Sequence, residues 1–425
     1  MKKFLSMLLA LTMLLSLMSV PALAEDGSHK LSVWCWDPAF NMFAMEEAAK
    51  VYQAEVDPDF ELEIIETPWA DLQPKLTTAG MSGDYSGLPD MFLCQDNAFQ
   101  KNVMTFPDMF LDITDSGIDF AQFGSAKTAY SVVDGKNYGV PFDNGAVVNA
   151  VRVDVLEAAG YTVADVTDID WTRYLEIGRD VLAKTGKPML SGTAGEPDMI
   201  MIMLQSCGAS LFNEDGSLSI QDNPAVMEVL ELYTAMVKEG IFVEVNGWDE
   251  YIGTLTNDVV ASTINGCWIL ASIQTAEDQS GKWAVTNIPK LVTSENATNY
   301  SNNGGSSWAV SSNCQNTALA YDFLAKTFAG SVPFYETIMT SGALATYLPA
   351  GDSAEYAVPQ EFFGGDAIYA KITEYAGMIP SNYTGVYYYE ARDAVGNAMT
   401  AIVNGADVAS TMADAQMTVE FAMGI

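Results

Sequence analysis

Hydrophobic and polar positions follow two different periods along the chain. KLSVWCW at 30–36 is an apolar run typical of a buried strand, and apolar residues at helical spacing follow it. Asp37 is placed to cap this helix, and Pro38 takes its first position, which needs no N–H donor. FELEIIE at 60–66 and DMFLCQ at 90–95 predict two more strands, with helical segments between them. This β-α-β-α opening predicts a largely parallel sheet covered on both faces.

Turn and capping residues mark further elements downstream. Asp134-Gly135 predicts a tight turn between two extended segments. Asn223-Pro224 predicts the start of a helix that ends at Gly240, and a second helical run covers 313–328. The sequence contains no internal repeat or long linker. Periodicity therefore predicts an α/β fold without locating domain boundaries.

The first 24 residues have the three parts of a secretory signal. Lys2 and Lys3 form a basic start, an apolar stretch runs from 4 to 20, and Ala22-Leu23-Ala24 is a small-residue cleavage site. The apolar stretch contains polar residues and is shorter than the roughly 20 residues of a membrane-spanning helix. We therefore expect cleavage after Ala24 and export to the periplasm or cell surface. No cysteine stands at the cleavage site to carry a lipid.

The remaining chain is long and strongly acidic. At roughly 100 to 200 residues per domain, it is long enough for two cores. The formal net charge of the full sequence is −36, so nucleic acids and anionic lipid surfaces would be repelled. Hydrophobic residues make up 49% of the sequence and aromatic residues 11%, which places this acidity on the surface of a folded protein.

Cysteine and histidine usage argues against several classes of function. Five widely spaced cysteines without a C-x-x-C pair permit at most two disulfides, so a disulfide-dense scaffold is excluded. His29 is the only histidine, which argues against hydrolases with a histidine base. A single histidine also offers few ligands for a zinc site. The sequence has neither a P-loop nor a G-x-S-x-G elbow. We therefore expect no metal site and no cofactor.

Several short motifs occur in an order seen in one protein family. They are VWCWDPAFNMFAMEEAAKVYQ near the start, PWADLQPKLTTA with LPD, DGKNYGVPFD, INGCW, SGKWAV and GGSSWAV. Each motif is weak alone, but the ordered set spans nearly the whole chain after residue 24. The chain resembles family 1 of the extracellular sugar-binding proteins of ABC importers, the maltose-binding-protein-like group. Within that group it is most similar to lactose or oligosaccharide binders.

The resemblance implies an α/β, two-lobed periplasmic-binding-protein-like fold of type II, which closes over a sugar as a hinged clamp. The lobes would comprise 25–142 with 289–345, and 143–288 with 346–425. The chain would cross between them near three prolines, Pro141, Pro289 and Pro349. The implied partners are a carbohydrate and the membrane permease of an ABC transporter, with ATP hydrolysed by a separate subunit. We expect a monomer that binds no nucleic acid and is not an enzyme.

A bound sugar would explain aromatic residues beside a scarce arginine. The apolar face of a pyranose stacks on aromatic rings, and its hydroxyls pair with carboxylates and with the donor fork of arginine. Tyr388 and Tyr389 precede Arg392 by four and three residues, in a helix expected to start near Thr384. The spacing is equally compatible with a core-packing role for Tyr388. These three residues match an aromatic pair and arginine in the family's late helix, with tyrosine replacing tryptophan at the first place.

Further candidate contacts come from the motifs and from strand ends, where open α/β sheets bind ligands. Trp268 closes INGCW, and its counterpart in the family stacks on the ligand. The other candidates are Trp36, Asp37, Gln95, Asp96, Asp143, Asn144, Gly305 and Trp308. Capping by Asp37, turn formation by the polar residues and core packing by the tryptophans are the alternative roles. Four tryptophans are assigned to packing, namely Trp69, Trp171, Trp248 and Trp283.

Two other functions stay open on the residues alone. A secreted glycoside hydrolase also needs aromatic residues and two carboxylates roughly 5 to 10 Å apart, but no local motif singles out such a pair. A binding protein for a peptide or a polyamine would suit the acidity. The combination of Trp, Tyr and Arg suits a neutral, polyhydroxylated ligand better. Lactose-like and arabinose-like di- or oligosaccharides are the candidate ligands.

Overall fold

The computed structural model describes residues 29–213, 215–380 and 383–425, which form two α/β lobes. The secretory signal and its cleavage site after Ala24 lie outside these residues and stay a prediction. No helix within the described ranges is both long enough and apolar enough to cross a membrane.

Strands and helices are numbered along the chain. The strands are β1 (Lys30–Cys35), β2 (Glu61–Glu66), β3 (Met91–Gln95), β4 (Val132–Val133), β5 (Lys136–Asn137), β6 (Gly139–Asp143), β7 (Val147–Arg152), β8 (Leu190–Thr193), β9 (Phe242–Val245), β10 (Ser262–Gly266), β11 (Trp283–Thr286) and β12 (Ser306–Val310). The helices are α1 (Phe43–Glu55), α2 (Trp69–Ser82), α3 (Asp96–Thr105), α4 (Ser125–Thr128), α5 (Val153–Ala159), α6 (Trp171–Thr185), α7 (Asp198–Gln205), α8 (Pro224–Lys238), α9 (Trp248–Thr256), α10 (Ile269–Gln274), α11 (Thr317–Lys326), α12 (Val332–Ile338), α13 (Leu348–Gly351), α14 (Ile368–Ala376), α15 (Tyr388–Val403) and α16 (Val408–Met423).

The first lobe is built on a five-stranded sheet with the order β2-β1-β3-β12-β6. β1 pairs in parallel with β2 and β3, whereas β12 runs antiparallel to β3 and β6. Leu31 and Val33 of β1 belong to a core on one side of the sheet, and Trp34 packs against a second core on the other. The predicted parallel opening, covered on both faces, is confirmed.

The carboxyl end of β1 is fixed by local hydrogen bonds. The Asp37 carboxylate accepts from the Ala39 N–H at 2.9 Å, and a π-helical turn, Pro38–Met42, leads into α1. The Asn41 side chain accepts from the backbone N–H groups of Trp36 and Asp37, at 2.9 and 3.0 Å. The predicted cap is confirmed. These bonds hold Trp36 at the strand end.

The second lobe contains a three-stranded antiparallel sheet, β10-β7-β11, and a separate parallel pair, β8-β9. Val147 and Val151 on the central strand β7 pack into one core, and Val148 and Ala150 pack into another. This sheet is therefore also covered on both faces, which is why β7 is buried throughout.

Several local predictions are confirmed with small shifts in boundary. Asp134 and Gly135, with φ of 50° and 77°, form the turn between β4 and β5. Asn223 caps α8 by accepting from two backbone N–H groups, and Gly240 follows the end of that helix with φ of 73°. The helical run predicted over 313–328 is shorter, because α11 starts only at Thr317.

The chain passes from the first sheet to the second between β6 and β7, close to the predicted crossing. The return to the first sheet comes later than Pro289. Ile288 and Leu291 pack in a second-lobe core, and the carbonyl of Ser301 still accepts from the N–H of Val147 in β7. We therefore propose that the second crossing lies at 302–305. The rest of the lobe division stays a prediction.

All five cysteine side chains are buried, and no disulfide joins any of them. Burial raises the pKa of the Cys35, Cys94 and Cys267 thiols above their ordinary value. No disulfide therefore links the described residues of the two lobes.

Candidate functional site between the lobes

Four aromatic rings form a continuous row from one lobe to the other. Trp36 packs against Trp69 at the start of α2, with 5.5 Å between ring centroids. Trp69 lies 6.3 Å from Tyr389 of α15, and Tyr389 meets Tyr388 edge to face at 5.1 Å. Tyr389 packs against cores of both lobes. We call these four residues the aromatic row.

The tyrosines of this row stand in the first turn of α15. The helix begins at Tyr388, four residues later than the predicted start near Thr384. Gly385 has φ of 74°, a left-handed conformation that interrupts a helix, and it lies against the ring of Phe212. The late start leaves the spacing to Arg392 unchanged. It places both tyrosines at the helix end that faces the first lobe.

Arg392 is surrounded by carboxylates and by the aromatic row. Its guanidinium donates to Asp198 at 2.8 Å, to Glu196, and to Asp393 at 3.3 Å. It also lies 5.9 Å from the centre of the Tyr389 ring. Burial opposes the positive charge, but Asp198, Tyr388 and Glu196 outweigh it and raise the pKa of Arg392. The result is a fixed cation beside an aromatic face.

Trp268 begins a second group of rings that is connected to Arg392. Its indole N–H donates to the carbonyl of Asn303 at 3.0 Å, and its ring lies 5.6 Å from that of Trp248. The Asn303 amide donates to Asn265 at 2.8 Å and reaches Asp198 at 3.4 Å. Trp268 packs against cores of both lobes. The predicted residues Trp268 and Arg392 thus belong to one polar network.

Two polar residues of the first lobe, one of them predicted, reach the tyrosines of the second. The Tyr389 hydroxyl donates to the side-chain oxygen of Gln95. Asn97, the second residue of α3, makes a side-chain hydrogen bond with Tyr388, whose pKa burial raises above its ordinary value. Gln95, Tyr388 and Tyr389 are therefore brought together as predicted, and Asn97 joins them.

Asp37 and Asn144 are half-buried residues whose observed contacts are structural. Asp37 caps the first helix, and burial raises the pKa of its carboxyl. The carbonyl of Asn144, in the first crossing, accepts from the Cys267 thiol at 3.5 Å. A contact of either side chain with a sugar stays a prediction.

Asp96 and Asp143 form an internal network. The Lys127 ammonium and the Ser307 hydroxyl, the latter at 3.1 Å, donate to Asp96. Asp143 accepts from the N–H of Ser306 at 2.9 Å and from its hydroxyl at 2.5 Å. Burial raises the pKa of Asp96 to about 6 and also raises that of Asp143. Both carboxylates anchor β12 to its neighbours.

Gly305 and Trp308 belong to the interior as well. Gly305 has φ of 99°, and a Cβ there would lie 2.6 Å from the Asp96 carboxylate. Trp308 is fully buried in the first-lobe core, with its ring 5.3 Å from that of Phe142. The cause is the place of β12 between β3 and β6 in a sheet that is covered on both faces. We therefore do not carry Asp96, Asp143, Gly305 or Trp308 forward as sugar contacts.

Two tryptophans that the sequence assigned to packing alone contact the candidate site. Trp69 is the first residue of α2, just after β2, and Trp248 is the first residue of α9, just after β9. The strand-end rule that selected Trp36 would also have found them. Trp171 and Trp283 lie in the second-lobe cores as predicted. Lys127 and Asn303 stand in no recognisable sequence motif, so no sequence signal pointed to their roles.

A family model and individual relatives both match this chain to binding proteins. The family model described as "Bacterial extracellular solute-binding protein" matches residues 47–364. The chain is 38% identical over 400 residues to a lactose-binding protein of Rhizobium radiobacter, which covers 94% of this chain and 93% of the relative. It is 26% identical over 310 residues to an arabinooligosaccharide-binding protein of Halalkalibacterium halodurans, covering 71% and 67% respectively.

A solved structure shows the same fold at low sequence identity. It is the ABC-transporter-associated binding protein of B. animalis subsp. lactis in complex with β-1,6-galactobiose. The TM-score is 0.76 at 19% identity, and the match covers 92% of this chain and 96% of the other. The predicted two-lobed, type II fold is confirmed. The matching relatives are named as binding proteins and not as enzymes. The chain belongs to the family of bacterial extracellular solute-binding proteins.

Proposed function

We propose that the protein captures a lactose-like or arabinose-like di- or oligosaccharide between its lobes and delivers it to the permease of an ABC importer. The observation that carries this proposal is the aromatic row, which runs from one lobe to the other with Arg392 beside it. Aromatic faces suit the C–H face of a pyranose, and charged groups suit its hydroxyls. A sugar that touches both halves of the row stabilises the closed arrangement.

The names of the relatives narrow the first ligands to test. One matching relative is named for lactose, and the structural neighbour was solved with a galactose disaccharide. A second relative is named for arabino-oligosaccharides. We therefore rank galactose-containing disaccharides first and arabino-oligosaccharides second.

The proposed mechanism is capture without chemistry. A shift from 1% to 99% closed requires about 5.5 kcal/mol of differential sugar affinity. Contacts to both lobes supply this difference, because in an open form the sugar contacts only one lobe at a time.

Glu196 and Asp198 both pair with the same nitrogen of Arg392, so they lie on one side of the site. A glycosidase would need two carboxylates flanking the scissile bond.

Export and assembly complete the proposal. After cleavage behind Ala24, the mature protein acts as a monomer in the periplasm or at the cell surface. It presents its closed form to the permease, and a separate subunit hydrolyses ATP. The binding of nucleic acid is opposed by the net charge of −36.

Calorimetric titration of the mature protein tests the proposal. The panel comprises lactose, β-1,6-galactobiose, arabino-oligosaccharides, maltose, xylobiose, a peptide mixture and spermidine, with chromatography of every mixture afterwards. We expect micromolar or tighter binding of one saccharide class and no cleavage. Products from any sugar would indicate a hydrolase. Binding of peptide or spermidine alone would mean that the ligand of this protein is that compound and not a sugar.

A further inference from the structure

An ion pair joins the two lobes next to the aromatic row. Lys101 of α3, in the first lobe, pairs with Glu390 of α15, in the second. The Lys101 ammonium also lies 5.1 Å from the centre of the Tyr387 ring. The residues from Tyr387 to Glu390 thus all contact first-lobe side chains, since Tyr388 and Tyr389 bind Asn97 and Gln95.

The environment of this pair differs from that of an ordinary surface ion pair. The Lys101 and Glu390 side chains are only 31% and 30% exposed. Burial lowers the pKa of the Lys101 ammonium. The second carboxylate oxygen of Glu390 is buried and has no hydrogen-bond partner among the described residues. Loss of Lys101 would leave a closed protein with a partly buried, unpaired carboxylate, which is unfavourable.

We propose that Lys101 and Glu390 form a latch that sets the closed fraction of the protein and, through it, the affinity and release rate of the ligand. The proposal rests on the proposed function, in which the lobes separate to release a sugar. The pair joins two lobes that part on opening, so its free energy belongs to the closed state alone. An interaction present in only one state shifts the equilibrium toward that state.

A distance measurement on the ligand-free protein tests the latch directly. Spin labels are placed on cysteines introduced at Thr77 and Thr418, exposed positions in different lobes, while the native cysteines are buried. We expect Lys101→Met and Glu390→Gln each to reduce the closed fraction, and the double variant to add little. The exchange Lys101→Glu with Glu390→Lys should restore closure.

Salt and a matched variant provide the controls. Raising the salt from about 0.05 to about 0.5 M should lower the closed fraction of the wild type more than that of Lys101→Met, because added salt screens the pair. Lys136 forms another ion pair, with 3.0 Å between its ammonium nitrogen and the Asp112 carboxylate, and both residues lie within the first lobe. Lys136→Met should therefore leave the closed fraction unchanged.

The dissociation rate of the best sugar gives a second readout. We expect release to be about two- to five-fold faster in Lys101→Met, the range of a partly exposed ion pair, and unchanged in Lys136→Met. Equal closed fractions in the wild type and both single variants would overturn the latch. Failure of every sugar to bind would overturn the proposed function, while the ligand-free distances would still decide the latch.

Discussion

At the scale of single residues, Asp96 carries a buried charge in the interior of the first lobe. It is 4% exposed, and its ion-pair partner is the buried Lys127. Lys127→Met should lower the free energy of unfolding by about 3–5 kcal/mol, because a buried carboxylate would lose its partner. Urea unfolding measures the change. The double variant Lys127→Met/Asp96→Asn should recover most of the loss, and a double variant as unstable as the single one would refute this reading.

The same carboxyl predicts a pH dependence. Burial raises the pKa of Asp96 from 3.8 to about 6, so the folded protein binds this proton more readily than the unfolded chain. The contribution of Asp96 to stability is therefore greatest below about pH 4 and declines as the pH rises toward 6. The difference in unfolding free energy between the wild type and Asp96→Asn should shrink over this window. Urea titrations at both ends test it, and a difference that grows with pH would reverse the assigned direction.

Residue chemistry also shows where prediction from sequence succeeds. Tyr388, Tyr389 and Arg392 were identified by their spacing within one helix together with the family resemblance, and the structure keeps them together. Trp308 and Asp96 lie in the interior, because their surroundings depend on where β12 enters the sheet. No local pattern encodes that position.

At the scale of elements, the docking of α15 positions the site. Gly396 of α15 faces the 195–197 segment, and a Cβ there would lie 2.6 Å from the Gly195 carbonyl. Gly396→Ala should push the helix away, weaken the Arg392 to Glu196 contact, and lower stability by about 1–3 kcal/mol. Calorimetry should also show weaker sugar binding.

A second helical glycine is the control for that prediction. Gly253 in α9 has its nearest neighbouring atom 3.6 Å from a built Cβ, so alanine fits there. Gly253→Ala should be neutral or stabilise the protein by up to about 1 kcal/mol, through helix propensity. Equal losses of stability in the two variants would show that close packing at Gly396 is not the cause.

Some element boundaries are set by adjacent residues and were predicted, whereas others are set by tertiary contacts and were not. The cap at Asp37 and the turn at Asp134-Gly135 depend on adjacent residues, and both were predicted. The start of α15 was not, because Gly385 takes its left-handed φ where the chain packs against Phe212, a distant residue. We propose a second crossing later than Pro289 for a similar reason, since Ser301 still pairs with β7.

At the scale of the whole molecule, the two lobes carry complementary parts of one site. The first supplies Trp36, Trp69 and Gln95, and the second supplies the tyrosine pair and Arg392. In the proposed function, binding and closure are one process, in which ligand contacts to both lobes provide the differential free energy.

The central claim, that a sugar stacks on the aromatic row, is tested most directly by calorimetric titration of two matched variants. Trp34 on β1 and Trp36 directly after this strand are both half-buried and pack against the same core, but only Trp36 belongs to the row. Our account predicts that Trp36→Ala weakens binding of the best sugar by about tenfold or more, whereas Trp34→Ala changes it by less than about twofold. Equal effects of the two variants, or undiminished affinity in Trp36→Ala, would contradict it.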